Sequence, residues 1–196
     1  MPKQVDHPER RAMIALALWR VVDRQGWSAA TMRTVAQEAN VSLGQLQHYF
    51  RTRQEMLTFA MSYAAEQTAD RVARRLDARA DSPHDILRTA VTELLPLQPE
   101  SRATSRLNAA FVLEALHDSA LRQQAGQGLR DGRAQVAELI RASISAGLIS
   151  SDRDPDVETD RVIALTGLAP LIELDVITPE AALAAVDRHL DDLFTP

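Results

Sequence analysis

Between residues 31 and 50 the chain reads TMRTVAQEANVSLGQLQHYF, and the second half of that stretch holds an unusual set of side chains. Leu43, Leu46 and Phe50 recur at i, i+3 and i+7, the apolar stripe of a helix. At 100° per residue Gln45 and His48 fall on the opposite side, with Gly44, Gln47 and Tyr49 on the flanks. A solvated helix face ordinarily carries Glu, Lys and Arg. This one offers amides, an imidazole and a phenol, none charged at neutral pH. Such groups hydrogen-bond in a groove without an acid to repel phosphate. Glutamine can pair with adenine N6 and N7, and Gly44 lets the backbone approach closely. The chemistry indicated is recognition of base edges; the plainer alternative is a solvated amphipathic hairpin.

Bond-making chemistry finds little support. With no Cys there is no disulfide framework, thiolate zinc site or Cys nucleophile, which suits a reducing, cytoplasmic setting. His7, His48, His84, His117 and His189 form no H-x-x-x-H or H-E-x-x-H pattern, and neither a Gly-rich phosphate loop nor G-x-S-x-G occurs. The acidic SDRDPDVETD, residues 151–160, lacks the Gly and terminal Glu of a calcium loop and reads as a connection followed by a helix N-terminus. No catalytic residue, metal or cofactor is expected. No apolar run approaches the roughly 20 residues of a membrane span, and the polar MPKQVDHPERR shows no signal-peptide core.

The elements that must position the polar face are helices. Strand signals are nearly absent, and apolar positions recur at helical spacing along most of the chain, giving an all-α fold of about nine helices. The first is expected over Pro8–Gln25, closed by Gly26. Thr31 is a candidate N-cap for a second over Met32–Ala39. Asn40 suits a left-handed turn, and Val41 can then point inward. Ser42 and Gln45 form an S-x-x-Q capping box for a third helix over Leu43–Phe50, and Thr52 and Glu55 repeat the device for a fourth over Arg53–Arg79. This spacing is that of a helix–turn–helix inside an N-terminal three-helix bundle. Five more helices are expected over about 83–94, 101–117, 120–146, 156–174 and 179–194. A first domain over residues 1–53 would pass into a larger one over 54–196 through the long fourth helix, with no flexible linker.

Net charge is −5, which disfavours a nucleic-acid binder until the halves are separated. Residues 1–53 hold eight basic and four acidic side chains, a net of +4, whereas the remainder stands at −9. A basic head on an acidic body suggests that the head alone meets phosphate.

Gly26, AATMRTVAQEANVSLGQLQHYF and the following RTRQEML resemble the DNA-binding domain of the TetR family of bacterial transcriptional regulators, over roughly Arg10–Leu57. The resemblance implies a homodimer that binds a palindromic operator in double-stranded DNA, usually as a repressor, and releases it when a small-molecule inducer enters the larger domain. It implies base or phosphate contact for Arg33, the start of the recognition helix for Ser42, Gly44 and Gln45, and groove-facing positions for Gln47 and His48. Tyr49 matches a phosphate-contacting ring, and Thr31 and Arg53 match backbone clamps. Thr31 and Ser42 could instead serve only as caps, and Tyr49 could be partly core. Three residues depart from the usual pattern: Asn40 for Gly, Gln47 for Tyr and Arg53 for Lys. The rival reading is a helical dimer that binds small molecules or proteins without touching DNA.

LLPLQPESRA, AFVLEALHDSALRQQ and AGLISSDRDPDVETDRVIALTGLAPLIELD resemble the BetI-type branch of that family. Phe59, Tyr63, Glu93, Asn108, Phe111 and His117 are candidate inducer-lining residues. An aromatic cage for a quaternary ammonium needs several rings, and the body has few, which argues against a choline-like inducer. Residues 160–172, DRVIALTGLAPLI, are apolar around much of the helix, so Ile163, Ala164, Gly167, Leu168 and Leu171 are expected at a dimer interface.

Overall fold

The computed structural model describes residues 7–76 and 82–195. Among them every regular element is helical: α1 (His7–Gln25), α2 (Met32–Glu38), α3 (Leu43–Tyr49), α4 (Arg53–Arg75), α5 (Pro83–Leu94), α6 (Pro99–Ala115), α7 (Ser119–Ser145), α8 (Pro155–Ala164), α9 (Ala169–Glu173) and α10 (Pro179–Leu193). A 3-10 turn over Trp27–Ala29 precedes α2, and another over Leu165–Leu168 joins α8 to α9. The fourth helix is shorter than expected, and residues 77–79 of that expectation lie outside the described residues. The chain packs as two compact units. One holds the residues up to Gln67 together with Arg106–Gln124; the other holds Thr68–Ser105 and the residues from Ala125 onward.

In the first unit α1 buries Ile14, Ala15, Ala17, Leu18, Val21 and Val22. Gly26, at φ 82°, ends it in a conformation that a side chain disfavours. Besides the residues up to Gln67, this unit draws on α6 and α7. Phe111 of α6 packs on Trp27 with ring centroids 5.6 Å apart. Thr58 Oγ1 and Gln124 Oε1 of α7 lie 3.0 Å apart. Helices distant in sequence complete the head's core, which no local pattern announces.

In the second unit α5, α7, α8, α9 and α10 enclose Leu87, Val91, Leu95, Ile140, Ile149, Val162, Ile172, Val186 and Leu190. Asp154 caps α8 by accepting from the Asp156 and Val157 N–H groups, at 2.9 and 3.2 Å. The acidic stretch therefore is the connection and helix start that its composition suggests. Residues 156–174 do not form one uninterrupted α-helix. Pro170 has no N–H to give the Thr166 carbonyl; that carbonyl instead accepts from Ala169, three residues on, and the turn tightens to 3-10.

Candidate nucleic-acid interface

The two short helices of the first unit are set by their caps. The Thr31 hydroxyl accepts from Thr34 N–H at 3.1 Å, and Thr34 Oγ1 accepts from Thr31 N–H at 3.0 Å. Asn40 takes φ 52°, and Val41 N–H reaches back to the Ala36 carbonyl at 3.0 Å, closing the turn. Val41 ends half-buried rather than fully inserted. Ser42 Oγ then accepts from Gln45 N–H at 3.1 Å, and Gln45 Oε1 accepts from Ser42 N–H at 2.9 Å, a complete capping box. The matching box expected at Thr52 and Glu55 forms only by half. Thr52 Oγ1 takes Glu55 N–H at 3.0 Å, but the Glu55 carboxylate turns to Arg51 N–H at 2.9 Å.

These caps fix which way α3 faces. Leu46 and Phe50 are fully buried and Leu43 half-buried, while Gly44, Gln45, Gln47 and His48 are exposed on the other side. A Cβ at Gly44 would meet nothing within 4 Å, so the backbone there is open to close approach. Tyr49 is half-buried. Its ring lies 5.4 Å from His48 and 4.8 Å from His7, a residue of α1 that sequence reasoning did not single out. Arg10, also of α1, joins Val41, Gly44, Gln45, His48 and Tyr49 around a recess of about 300 Å³. Helical periodicity could have placed His7 and Arg10 on a common side of α1, but not beside α3. Thr31, Ser42 and Arg33 are exposed.

The positive charge of the head is largely committed inside it. Arg20 meets Glu38 at 2.6 Å and Arg24 meets it at 3.5 Å, and the Arg20 hydrogen bond holds the Glu38 carboxyl below its ordinary range. The Arg11 guanidinium lies over the Phe59 and Phe50 rings, 4.4 and 4.7 Å from their centroids, and 3.9 Å from Glu55. Arg53, which the resemblance matches to a backbone clamp, is engaged within the head. It donates through Nε to the Ala30 carbonyl at 2.7 Å and through a terminal nitrogen to the Trp27 carbonyl at 3.2 Å. That ties the start of α4 to the turn ahead of α2. The Arg33 and Arg51 side chains are exposed and engage no acid or carbonyl among the described residues.

Five of the six candidate inducer-lining residues belong to the first unit. Phe59 and Tyr63 stack at 6.2 Å beside Trp19 and Phe50, as part of the head's aromatic core. Phe111 is buried on Trp27, Asn108 is half-buried, and His117 is exposed at the end of α6. Glu93 belongs to the other unit. There it is 1% exposed and accepts from Arg71 Nε at 2.7 Å, with Arg75 also 2.7 Å away; Arg71 further donates to Thr68 and Thr104. Of the expected interface residues, Ala164, Gly167 and Leu171 are exposed, Ile163 is half-buried, and Leu168 packs partly on the second unit's core. Leu174 and Val176, 73% and 65% exposed, extend the apolar surface and were missed.

A turn-linked pair of capped helices, the second facing outward with uncharged hydrogen-bonding groups, is a structure suited to a DNA groove. Residues 14–58 match the family model of bacterial regulatory proteins, tetR family, and residues 83–195 match the C-terminal domain of BetI-type transcriptional repressors. The chain belongs to the TetR family. It is similar to the HTH-type transcriptional regulator PksA of Bacillus subtilis, 34% identical over 90% of this chain and 85% of that protein. It is also similar to the HTH-type transcriptional regulator BetI of Burkholderia thailandensis, 31% identical over 63% of each chain. A TetR-family regulator from Rhodococcus sp. has the same fold, with TM-score 0.85 and 24% identity over 96% of this chain and all of that one. The protein is thus a ligand-responsive, DNA-binding transcriptional regulator rather than an enzyme. No helix among the described residues is long and apolar enough to cross a membrane.

Proposed function

We propose that this TetR-family regulator is a cytoplasmic repressor that grips a palindromic operator as a homodimer, one α3 to each half-site, and lets go when a small molecule binds. The observation that carries this reading is the exposure of Gln45 and His48, with Gln47 on the flank, on a helix whose other face is locked by Leu46 and Phe50. Base edges are read by such groups, whereas phosphate contacts fix register. Arg33 and Arg51 supply cations for phosphate, Thr31 and Ser42 stand at helix starts where N–H groups can meet it, and Tyr49 lies at the edge of the same face. The dimer forms across Ala164, Gly167 and Leu171, with Leu174 and Val176 continuing the surface. The inducer is not a quaternary ammonium held in an aromatic cage. Phe59 and Tyr63 already pack in the head's aromatic core, and Arg11 occupies the Phe50 and Phe59 faces.

In vitro selection from random duplex DNA with the purified protein tests the reading. An inverted repeat, with half-sites separated by about one helical turn or a multiple of it, is expected. Its occupancy should fall when an inducer found by thermal-shift screening is added. Recovery of no shared sequence would sink the proposal.

A further inference from the structure

The capping box that starts α3 decides what one of its outward residues can say to DNA. Gln45 is exposed, yet its carbonyl oxygen is not at liberty: Oε1 accepts the Ser42 N–H at 2.9 Å. The orientation of the amide follows from its partner, because a backbone N–H can only donate and so must face the oxygen. The reciprocal bond, Gln45 N–H to Ser42 Oγ at 3.1 Å, fixes the backbone that carries it. One lone pair of the oxygen is thereby engaged and the oxygen is turned toward the backbone, which leaves the Nε2 amine, with its two donors, as the unengaged end of the side chain.

The base edges of the major groove differ in what they ask of such a group. Adenine presents N7 as acceptor beside N6 as donor, so its bidentate partner must offer a donor and an acceptor together. Guanine presents two neighbouring acceptors, N7 and O6; thymine presents one, O4; cytosine presents a donor, N4. A glutamine whose oxygen is held by the cap matches guanine best and repels the N4 of cytosine. Its surroundings agree. The recess beside Gln45 is lined by Arg10, Val41, Gly44, His48 and Tyr49, which include cationic and hydrogen-bonding groups but no acid.

We infer that Gln45 is a specificity-determining residue that reads a guanine edge rather than adenine, because the α3 capping box turns its carbonyl oxygen toward the Ser42 N–H and leaves the amine as the unengaged end. The inference rests on α3 being the helix that enters the groove. It corrects the adenine pairing that residue type alone suggests.

The test is in vitro selection of duplex DNA with the wild-type protein, Gln45→Glu and Gln45→Ala. Glutamate keeps an acceptor for the Ser42 N–H, so the box survives, but it turns an acceptor outward in place of the amine. With wild type, one position in each half-site should be guanine. With Gln45→Glu that position should change to cytosine on the same strand, with a preference of about tenfold, the scale of one good base contact. With Gln45→Ala it should become indifferent while the rest of the motif persists. Adenine at the responding position would show that the box opens on DNA and would overturn the inference. So would a motif that none of the substitutions alters. In that case a response to Gln47 and His48 substitutions would keep α3 in the groove and remove only the role of Gln45. Selection of no motif by the wild-type protein would remove both readings together. Should the glutamate variant bind no DNA at all, the alanine selection alone decides.

Discussion

The Arg53 guanidinium donates to the Ala30 carbonyl at 2.7 Å, across 23 residues of sequence. With the second bond to Trp27 it makes a brace between the start of α4 and the turn that launches α2. The side chain that charge alone marks for phosphate is therefore one that holds the reading head in shape. Arg53→Met should lower stability to urea by about 1.5–3 kcal/mol, the range for hydrogen bonds from a charged group, since two carbonyls lose their donor. Arg53→Lys should recover only part of this, because an ammonium cannot reproduce the planar fork. Full stability in both variants would show that the brace carries nothing.

Phosphate binding should instead depend on Arg33. Arg33→Ala should weaken operator and random DNA by a similar factor, because a phosphate contact carries no sequence information. The slope of log K against log salt should fall by about 0.9 for each phosphate that is no longer neutralised, or about 1.8 for a dimer. Arg153→Ala is the control, because that guanidinium is engaged by Asp192 and Glu158 in the second unit. Fluorescence anisotropy at several salt concentrations measures both quantities, and equal slopes for the two variants would refute the assignment.

The Arg71–Glu93 pair is the test of buried charge. Glu93→Ala should destabilise the protein by about 3–5 kcal/mol, because it leaves a guanidinium uncompensated beside the core. The double variant Glu93→Leu with Arg71→Met should recover most of that loss, since two apolar side chains of similar size need no partner. Chemical denaturation of the single and double variants decides. A double variant as unstable as the single one would mean that packing, not charge, dominates there.

Gly167→Leu separates folding from assembly. A Cβ at Gly167 meets nothing within 4 Å in the isolated chain, so the variant should melt as a monomer much as the wild type does at low concentration. Across a close-packed seam the added carbons should cost about 1–3 kcal/mol, which raises the dimer dissociation constant roughly 5- to 150-fold. Analytical ultracentrifugation showing an unchanged dimer would place the seam elsewhere.

Acid should loosen the tie between α1 and α2. The Glu38 carboxyl is held below its ordinary value, first by its hydrogen bond with Arg20 and also by the nearby charges of Arg24 and Arg20. A depressed carboxyl contributes stability that is present above its unfolded value, near 4.5, and is lost as pH falls through the lower folded value. The melting temperatures of wild type and Glu38→Gln should therefore differ at pH 7 and converge toward pH 3. A gap that stays constant across that range would mean that the carboxylate's charge plays no part.

The amino-acid order by itself determined most of what depends on residues three or four apart, although the Glu55 carboxylate takes Arg51 N–H rather than closing a box with Thr52. Thr31 with Thr34 and Ser42 with Gln45 start their helices wherever the chain lies, because each cap closes on its own next turn. Asn40 turns the chain because few residues tolerate φ 52°. The apolar stripe of α3, the outward placing of its amides and the family resemblance follow from the same local rules. Tertiary structure decided which of the charged groups remain available. Arg20 finds Glu38 across 18 residues, Arg53 finds Ala30 across 23, and Arg71 finds Glu93 across 22. No periodicity encodes such meetings, because they depend on where separate helices come to rest. Pairing removes a cation from service to DNA, so the count of arginines in the head overstated what it can offer to phosphate. The membership of Phe111 and Gln124 in the head is of the same kind, since a contact made through space leaves no spacing in the sequence.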